Sequence, residues 1–371
     1  MNNTSFHLGF TEQVTFALRS LYNRRGYTQY NMNKFEEYDL YARNKDFLIS
    51  DNVITFTDLN GKLMALKPDV TLSIVKNTAD TGSVQKLYYN ENVYRVSKGS
   101  GVFREMLQVG LECLGQIDDY AIFEVLLLAA KSLLAISNLC VLDISHLGMV
   151  TQLLDAMAIP RETHANLFSA MSEKNLHELQ SICKDADVAE AHITALQTLL
   201  TISGPIAQTL PQLEQLMKDY PAVTAFSPFR KILTALQEED SAQVFCIDFS
   251  VVDDVHYYNG VVFKGFVSGV PNSVLSGGQY DRLMKKMGRK SGAIGFAVYT
   301  DALDRLWDSP NPYDVETVLL YPENAPLQAV TQKVRQLTDQ GLHVLALPRL
   351  PEDLRYQQLL TLEVNDLADH T

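Results

Sequence analysis

The stretch from residue 88 to residue 115 constrains the fold of this chain more than any other. It begins with aromatic and aliphatic residues interrupted by polar ones, as expected for a strand with one exposed face. Residues 98–101, KGSG, then supply turn chemistry, because glycine tolerates the positive backbone angles of a hairpin. A second strand follows, in which Leu107, Val109 and Leu111 alternate with polar or small residues. The pattern predicts an antiparallel hairpin.

This hairpin carries polar side chains that alternation places on one surface. Gln108 and Glu112 point to the same face, and Arg95 and Arg104 flank the turn. Two arginines, an amide and a carboxylate on one surface are typical of the floor of a pocket for a small zwitterion. An ordinary solvated sheet face explains the same residues, and from the hairpin alone we favour this second interpretation.

Composition and charge indicate a globular protein of two or three domains. The chain has 371 residues, of which 46% are hydrophobic, and a formal charge of −13. This acidic balance disfavours binding of nucleic acid, whose phosphates normally require a basic surface. No run of 18 apolar residues and no signal pattern are present, which predicts a cytoplasmic protein without membrane contact. The four cysteines lack CxxC spacing, so neither a disulfide framework nor a metal site is expected.

The order of strand-like and helix-like segments predicts four regions. Residues 1–147 and 241–310 carry mixed strand and helix signals, residues 148–240 carry only amphipathic helical segments, and residues 311–371 carry a short βαβ pattern. We interpret residues 148–240 as a helical insertion and residues 311–371 as a truncated α/β module.

Several individual elements follow from the same patterns. Pro68 suits the first turn of a helix, and Asp69 suits its positive dipole end. The chain is further expected to form strands over 47–49, 53–56, 244–252, 317–321 and 343–347, and helices over 11–25, 118–137, 298–307 and 326–340. The last two strands are expected to be parallel, and residues 351–371 are expected to add one helix and one short strand.

Four stretches together resemble the catalytic core of class II aminoacyl-tRNA synthetases, in the histidyl branch, from residue 10 to about residue 306. The resemblance implies an α+β fold in which helices flank an antiparallel sheet. The stretches are residues 66–71 (LKPDVT, against L-R-P-E-x-T), Tyr94-Arg95 with residues 104–115 (motif 2), residues 256–263 with the Tyr-Tyr pair (first histidine motif), and residues 277–281 (GGQYD) with 294–297 (second histidine motif).

Departures from the branch pattern fall where the nucleotide would be activated. Ala302 stands where an arginine would hold the triphosphate, although Arg305 lies one turn further on. Asp253 replaces the arginine that faces the reacting carboxylate, and Ser97 replaces the carboxylate of F-R-x-E. Asn33 replaces the proline of motif 1. Adenylation needs cations around the phosphates, so this site is expected to lack that activity and to have no catalytic residues.

The amino-acid half of the site matches the branch position by position. The resemblance implies that Asp69, Thr71 and Gln108 receive the ammonium group of a bound histidine. Glu112 and Tyr258 would meet its imidazole, and Arg95 its carboxylate. The wall would be formed by Tyr257, Gly278 and Tyr280.

Three functions are compatible with this resemblance. A working histidyl-tRNA synthetase and a tRNA-sensing relative both need an anticodon-binding domain, for which the C-terminal region is too short. The regulatory subunits of ATP phosphoribosyltransferase (HisZ type) resemble the chain in every feature above, and we favour this non-enzymatic function. It implies allosteric regulation of a short catalytic subunit in histidine biosynthesis, histidine as effector, self-association as a dimer through about residues 10–41, and no cofactor.

Overall fold

The computed structural model describes residues 9–48, 52–96, 101–252, 257–303 and 312–362 of the chain. Residues 10–306 form one unit of structure, and the described residues 312–362 belong to a second. Strands and helices occur together in both units, which confirms the predicted α+β class.

The first unit is built on a sheet of nine strands within the described residues, in the order β1-β5-β6-β12-β11-β10-β7-β9-β8. Most neighbours are antiparallel, whereas β1–β5 and β7–β9 are parallel. A separate small sheet has the order β2-β4-β3. The strands of this unit are β1 (Thr28–Gln29), β2 (Phe35–Glu37), β3 (Thr55–Thr57), β4 (Leu63–Leu66), β5 (Gln85–Val96), β6 (Phe103–Gly115), β7 (Cys140–His146), β8 (Ser203–Pro205), β9 (Phe245–Asp248), β10 (Val261–Val267), β11 (Leu275–Gln279) and β12 (Gly292–Tyr299).

Helices cover the sheet and extend the core. The apolar helix α4 packs on α1, β7, β10 and β12, and the Asp118 carboxylate caps it by accepting the Ala121 N–H at 2.8 Å. Among the described helices, none is long and apolar enough to cross a membrane. The helices of this unit are α1 (Phe10–Asn23), α2 (Tyr38–Ala42), α3 (Thr71–Asn77), α4 (Asp119–Ile136), α5 (Leu147–Ala156), α6 (Arg161–Ser172), α7 (Leu176–Asp185), α8 (Glu190–Thr201), α9 (Ile206–Met217), α10 (Phe226–Gln237) and α11 (Asp281–Lys286).

The predicted hairpin is confirmed. Strands β5 and β6 pair antiparallel over their whole length, with Arg95 opposite Arg104. Residues 98–100 of the turn lie outside the described residues. Gln108 and Glu112 are only 3% and 2% exposed, so the interpretation of this surface as a solvated sheet face is wrong.

Two predicted elements of the first unit differ from the structure. Lys45–Phe47 is a 3-10 turn rather than the start of a strand, and residues 49–51 lie outside the described residues. Strand β12 continues to Tyr299 and is followed by a 3-10 turn at Thr300–Ala302, where a helix over 298–307 was expected. Val298 and Tyr299 pair with β6, so this pairing overrides the local helical pattern.

Residues 148–240 are largely helical, as expected, but they also contain β8, which joins the edge of the main sheet beside β9. Side chains from α5 to α10 belong to the same apolar cluster as the sheet. The boundaries assigned to this insertion remain a prediction. Among the described residues there is no group of three or more metal-ligating side chains.

The C-terminal unit is a small parallel sheet with one described helix. Strand β13 (Val315–Leu320) lies between β14 (Val344–Leu347) and β15 (Tyr356–Thr361), and α12 (Leu327–Asp339) connects β13 to β14. Both pairings are parallel, which confirms the predicted parallel pair. Between residues 351 and 362 the structure has β15 and no helix.

Candidate functional site

A cavity of about 830 Å³ lies over β6, β10, β11 and β12 of the main sheet, beside the start of α3. It brings together eight of the nine residues that the sequence predicts for a histidine site. Those that line it are Asp69, Thr71, Arg95, Gln108, Glu112, Tyr257, Tyr258 and Tyr280.

The ninth residue, Gly278, lies behind this wall. A Cβ atom at Gly278 would be 2.7 Å from Cδ1 of the Tyr258 ring. Real Cβ atoms do not approach so closely, so the absence of a side chain lets the ring lie against β11. Gly278 therefore shapes the site without being among the residues that line the cavity.

Glu112 is the central polar group of the cavity. Its Oε1 accepts a hydrogen bond from Thr71 Oγ1 at 2.7 Å, and its Oε2 accepts one from the Tyr280 hydroxyl at 2.6 Å. The pKa of this carboxyl is raised to about 8, mainly by burial and in smaller part by the nearby Asp69. The two hydroxyl donors oppose this shift. A cationic or N–H donor ligand would favour the ionised form of Glu112.

Asp69 and Thr71 are positioned by the first turn of α3. Asp69 Oδ1 accepts the Leu72 N–H at 2.8 Å, which confirms the predicted role of Asp69 at the positive end of this helix. Burial raises the pKa of Asp69, while the Leu72 N–H and the nearby Arg95 oppose the shift. Because two buried carboxyls share the cavity, an ammonium group would relieve the cost of ionising both.

Arg95 lies at the side of the cavity on β5. Its side chain is buried, and its Nε donates to the Pro68 carbonyl oxygen at 2.8 Å. This bond holds the guanidinium beside the loop that precedes α3. The buried guanidinium is suited to a carboxylate ligand, since arginine binds carboxylates through paired N–H donors.

Aromatic rings pack together to form one wall of the cavity. The rings of Tyr257 and Tyr258 are 4.7 Å apart, and those of Tyr257 and Tyr280 are 5.7 Å apart. Phe47 packs edge-on to Tyr257 at 6.0 Å. Burial, followed by the neighbouring Asp69, raises the pKa of Tyr257, so its hydroxyl stays protonated and can donate.

The structure adds residues that the sequence did not single out for the site. Gly295 lies opposite Glu112 in the β6–β12 pairing, and a Cβ atom there would collide with Glu112 Oε2 and with the Leu111 carbonyl oxygen. The glycine-rich pattern of β12 was visible in the sequence, but its register against β6 was not. Phe47, Tyr89, Lys264 and Asp301 also line the cavity.

An acidic group lines the cavity just beyond the end of β12. Asp301 lines it, within the 3-10 turn that ends at Ala302. Asp253, Ser97 and Arg305, which the resemblance places where the nucleotide would be activated, lie outside the described residues. The described turn thus brings a further carboxylate to the cavity.

The family model described as Histidyl-tRNA synthetase matches residues 8–303 of the chain. The chain belongs to the histidyl-tRNA synthetase family. The match covers the main sheet and every residue that lines the cavity.

Two curated relatives of the chain share one name. The ATP phosphoribosyltransferase regulatory subunit of Clostridium kluyveri is 25% identical over 342 residues, covering 89% of this chain and 87% of the relative. The protein of the same name from Clostridium acetobutylicum is 25% identical over 336 residues, covering 87% and 82%.

Solved structures share the fold of the family. An ATP phosphoribosyltransferase regulatory subunit/histidyl-tRNA synthetase from Bacillus halodurans has a TM-score of 0.77 at 22% identity, with 95% of this chain and 93% of that chain covered. Histidyl-tRNA synthetase from Nostoc sp. PCC 7120 has a TM-score of 0.74 at 16% identity, covering 95% and 86%. The ATP phosphoribosyl transferase (HisG:HisZ) complex from Thermotoga maritima has a TM-score of 0.61 at 18% identity, with 79% of this chain and 98% of that chain covered.

Proposed function

We propose that this chain is the cytoplasmic regulatory subunit of ATP phosphoribosyltransferase. In this function it binds a short catalytic subunit, which transfers a phosphoribosyl group from phosphoribosyl pyrophosphate to ATP in the first step of histidine biosynthesis. The curated relatives that carry this name support the proposal. The observation that carries it is a cavity that brings together eight of the nine residues expected to bind a free amino acid, with a further carboxylate, Asp301, in its lining.

Histidine is the ligand that the cavity fits best. Glu112 accepts hydrogen bonds and is surrounded by hydroxyl groups, so it suits an imidazole N–H with Tyr258 beside it. Asp69, Thr71 and Gln108 suit the ammonium group, and Arg95 suits the carboxylate. Tyr257 and Tyr280 form the wall around the ring, and Gly278 shapes this wall by letting the Tyr258 ring lie against β11. We infer that bound histidine reports the level of the pathway product and inhibits the complex.

Direct binding is testable by isothermal titration calorimetry. We expect wild-type protein to bind histidine and Glu112→Ala to lose at least tenfold in affinity, because Thr71 and Tyr280 would lose their shared acceptor. A Glu316→Ala variant, in the C-terminal unit, is the control. Equal affinities in the wild type and Glu112→Ala would reject the site.

The regulatory role is tested by reconstitution with the short catalytic subunit from the same source. We expect phosphoribosyl transfer to rise on addition of this chain and to fall again on addition of histidine. If Glu112→Ala still activates but no longer confers histidine sensitivity, the histidine effect belongs to this cavity. Transfer that is indifferent to the chain would contradict the proposal.

Family membership itself favours one alternative, a histidyl-tRNA synthetase activity. Adenylation needs positive charge around the α-phosphate and the leaving pyrophosphate, whereas Ala302 and Asp253 replace arginines of the pattern. We therefore expect no exchange of pyrophosphate into ATP in the presence of histidine. Robust exchange would establish the synthetase activity and remove our proposal.

We also infer that the chain forms a homodimer through α1 and the segment up to about residue 41. Phe16 supports this inference, since more than half of its side chain is exposed on α1. Analytical ultracentrifugation of wild type and Phe16→Glu tests it. A wild-type monomer at micromolar concentration would contradict it.

A further inference from the structure

A second cavity, of about 390 Å³, opens between the helical region and the main sheet. We call it the α5–α6 groove, because Leu147 at the start of α5 and Phe168 in α6 form its apolar floor. Ala165, also on α6, is exposed at its edge. Among the described residues that line this groove, Tyr258 is the one that also belongs to the proposed histidine site.

The rim of the groove is cationic, although the chain as a whole carries a net charge of −13. Among the described residues that line it, the charged ones are Arg161 and Arg282, which come from α6 and α11. Arg161 pairs with Asp155 at 3.3 Å, but both groups are exposed and the bonds are long. Such a surface pair contributes little free energy, so Arg161 can accept a second carboxylate.

The groove and the amino-acid cavity share one wall. Tyr258 lines both, and its ring lies 4.7 Å from that of Tyr257. The two residues after Tyr258 connect this wall to β11 and to α5. The Asn259 N–H donates to the Gln279 carbonyl oxygen of β11 at 2.9 Å, and the Gly260 carbonyl oxygen accepts the Leu147 N–H of α5 at 2.9 Å. A ligand that shifts Tyr257 and Tyr258 therefore changes the wall of the groove.

We propose that the α5–α6 groove binds a segment of the catalytic subunit in which an apolar side chain is flanked by a carboxylate. The apolar side chain fits the floor of Leu147 and Phe168, and the carboxylate fits Arg161 and Arg282. Charge complementarity of this kind fixes orientation and speeds association. The inference rests on the proposed function, and Tyr258 couples this docking to histidine binding.

The test measures affinity between the catalytic subunit and variants of the full chain. We expect Arg161→Glu with Arg282→Glu, and separately Ala165→Trp, to weaken binding at least tenfold through charge reversal and steric filling. Arg230→Glu is the matched control, since Arg230 is an exposed helical arginine paired with Glu214 at 3.2 Å, as Arg161 is with Asp155. We expect its affinity to stay within twofold. Histidine binding by the double variant alone should also stay within twofold, which shows that it is folded.

The outcomes separate this inference from the function on which it rests. If wild-type chain does not bind the catalytic subunit, both fall. If wild type binds and the groove variants bind as tightly as Arg230→Glu, the docking site is wrong and the regulatory function stands. If Ala165→Trp weakens binding but charge reversal does not, the carboxylate in the partner segment is wrong. Saturating histidine should shift wild-type affinity at least fivefold, and an unchanged affinity overturns the role of Tyr258.

Discussion

At the scale of single residues, the ionisation of Glu112 gives a pH-dependent prediction. Burial raises its pKa from 4.5 to about 8, so between these values the folded chain holds a proton that the unfolded chain has lost. Stability therefore falls as pH rises through this window. Glu112→Gln cannot ionise, and we expect its stability relative to wild type to increase between pH 5 and pH 8 by up to about 4 kcal/mol.

Chemical denaturation without histidine at several pH values measures this difference. Other groups with shifted pKa values, such as Asp143, titrate in both proteins and cancel in the comparison. A stability difference that does not vary with pH would mean that Glu112 is already ionised in the histidine-free chain.

Gly295 gives a steric prediction at the same scale. Gly295→Ala would place a Cβ atom against the Glu112 carboxylate and the Leu111 backbone, and the backbone cannot move aside without disturbing β6. We expect histidine affinity to fall at least tenfold and the free energy of unfolding to fall by about 1–3 kcal/mol. Calorimetry and denaturation measure the two effects.

Gly265→Ala is the matched control for this substitution. Gly265 lies in β10 of the same sheet, but its added Cβ atom would meet the Leu133 side chain of α4, on the side away from the cavity. Gly265→Ala should lower the free energy of unfolding and leave histidine affinity within twofold of wild type. Equal losses of affinity in both variants would show that general destabilisation, rather than displacement of Glu112, explains the effect.

At the scale of elements, α3 depends on a contact from a distant loop. Arg289, which precedes β12, donates to the carbonyl oxygens of Val75 and Thr78 at the end of α3. These carbonyls have no partner within the helix, so the guanidinium caps it and fixes the orientation of Thr71 at its other end. We expect Arg289→Ala to lower the free energy of unfolding by about 1–3 kcal/mol and to weaken histidine binding.

Thermal denaturation and calorimetry measure these two losses. Lys290→Ala is a suitable control, because Lys290 is the exposed neighbour and its backbone N–H, which the substitution keeps, donates to Asp80 at 2.8 Å. An Arg289→Ala variant that loses stability but binds histidine normally would show that α3 is positioned by other contacts.

The elements that sequence predicted best are those whose pattern is local. Alternation in β6 placed Gln108 and Glu112 on one face, and Asp69 at a helix start was recognisable from its neighbours. The predicted start of a helix at residue 298 was wrong, because Val298 and Tyr299 have a helical local pattern but pair with β6 as part of β12. Likewise, the steric role of Gly295 depends on a pairing between strands far apart in the chain, which periodicity does not specify.

At the scale of the whole molecule, all residues that line the amino-acid cavity lie between residues 47 and 301. The C-terminal unit has its own small apolar core, which includes Leu319, Ala329 and Leu337. Residues 10–306 have separate and much larger apolar clusters. The cavity should therefore not need the C-terminal unit.

We expect a chain ending at residue 306 to fold and to bind histidine within twofold of the full chain, because its cores and cavity are complete without β13, β14, β15 and α12. Calorimetry on both proteins measures affinity, and circular dichroism shows whether the shorter chain is folded. The variant Glu112→Ala in the shorter chain is the control for specific binding. A folded shorter chain that no longer binds histidine would mean that the C-terminal unit contributes to the site. The two structural units would then form a single functional unit.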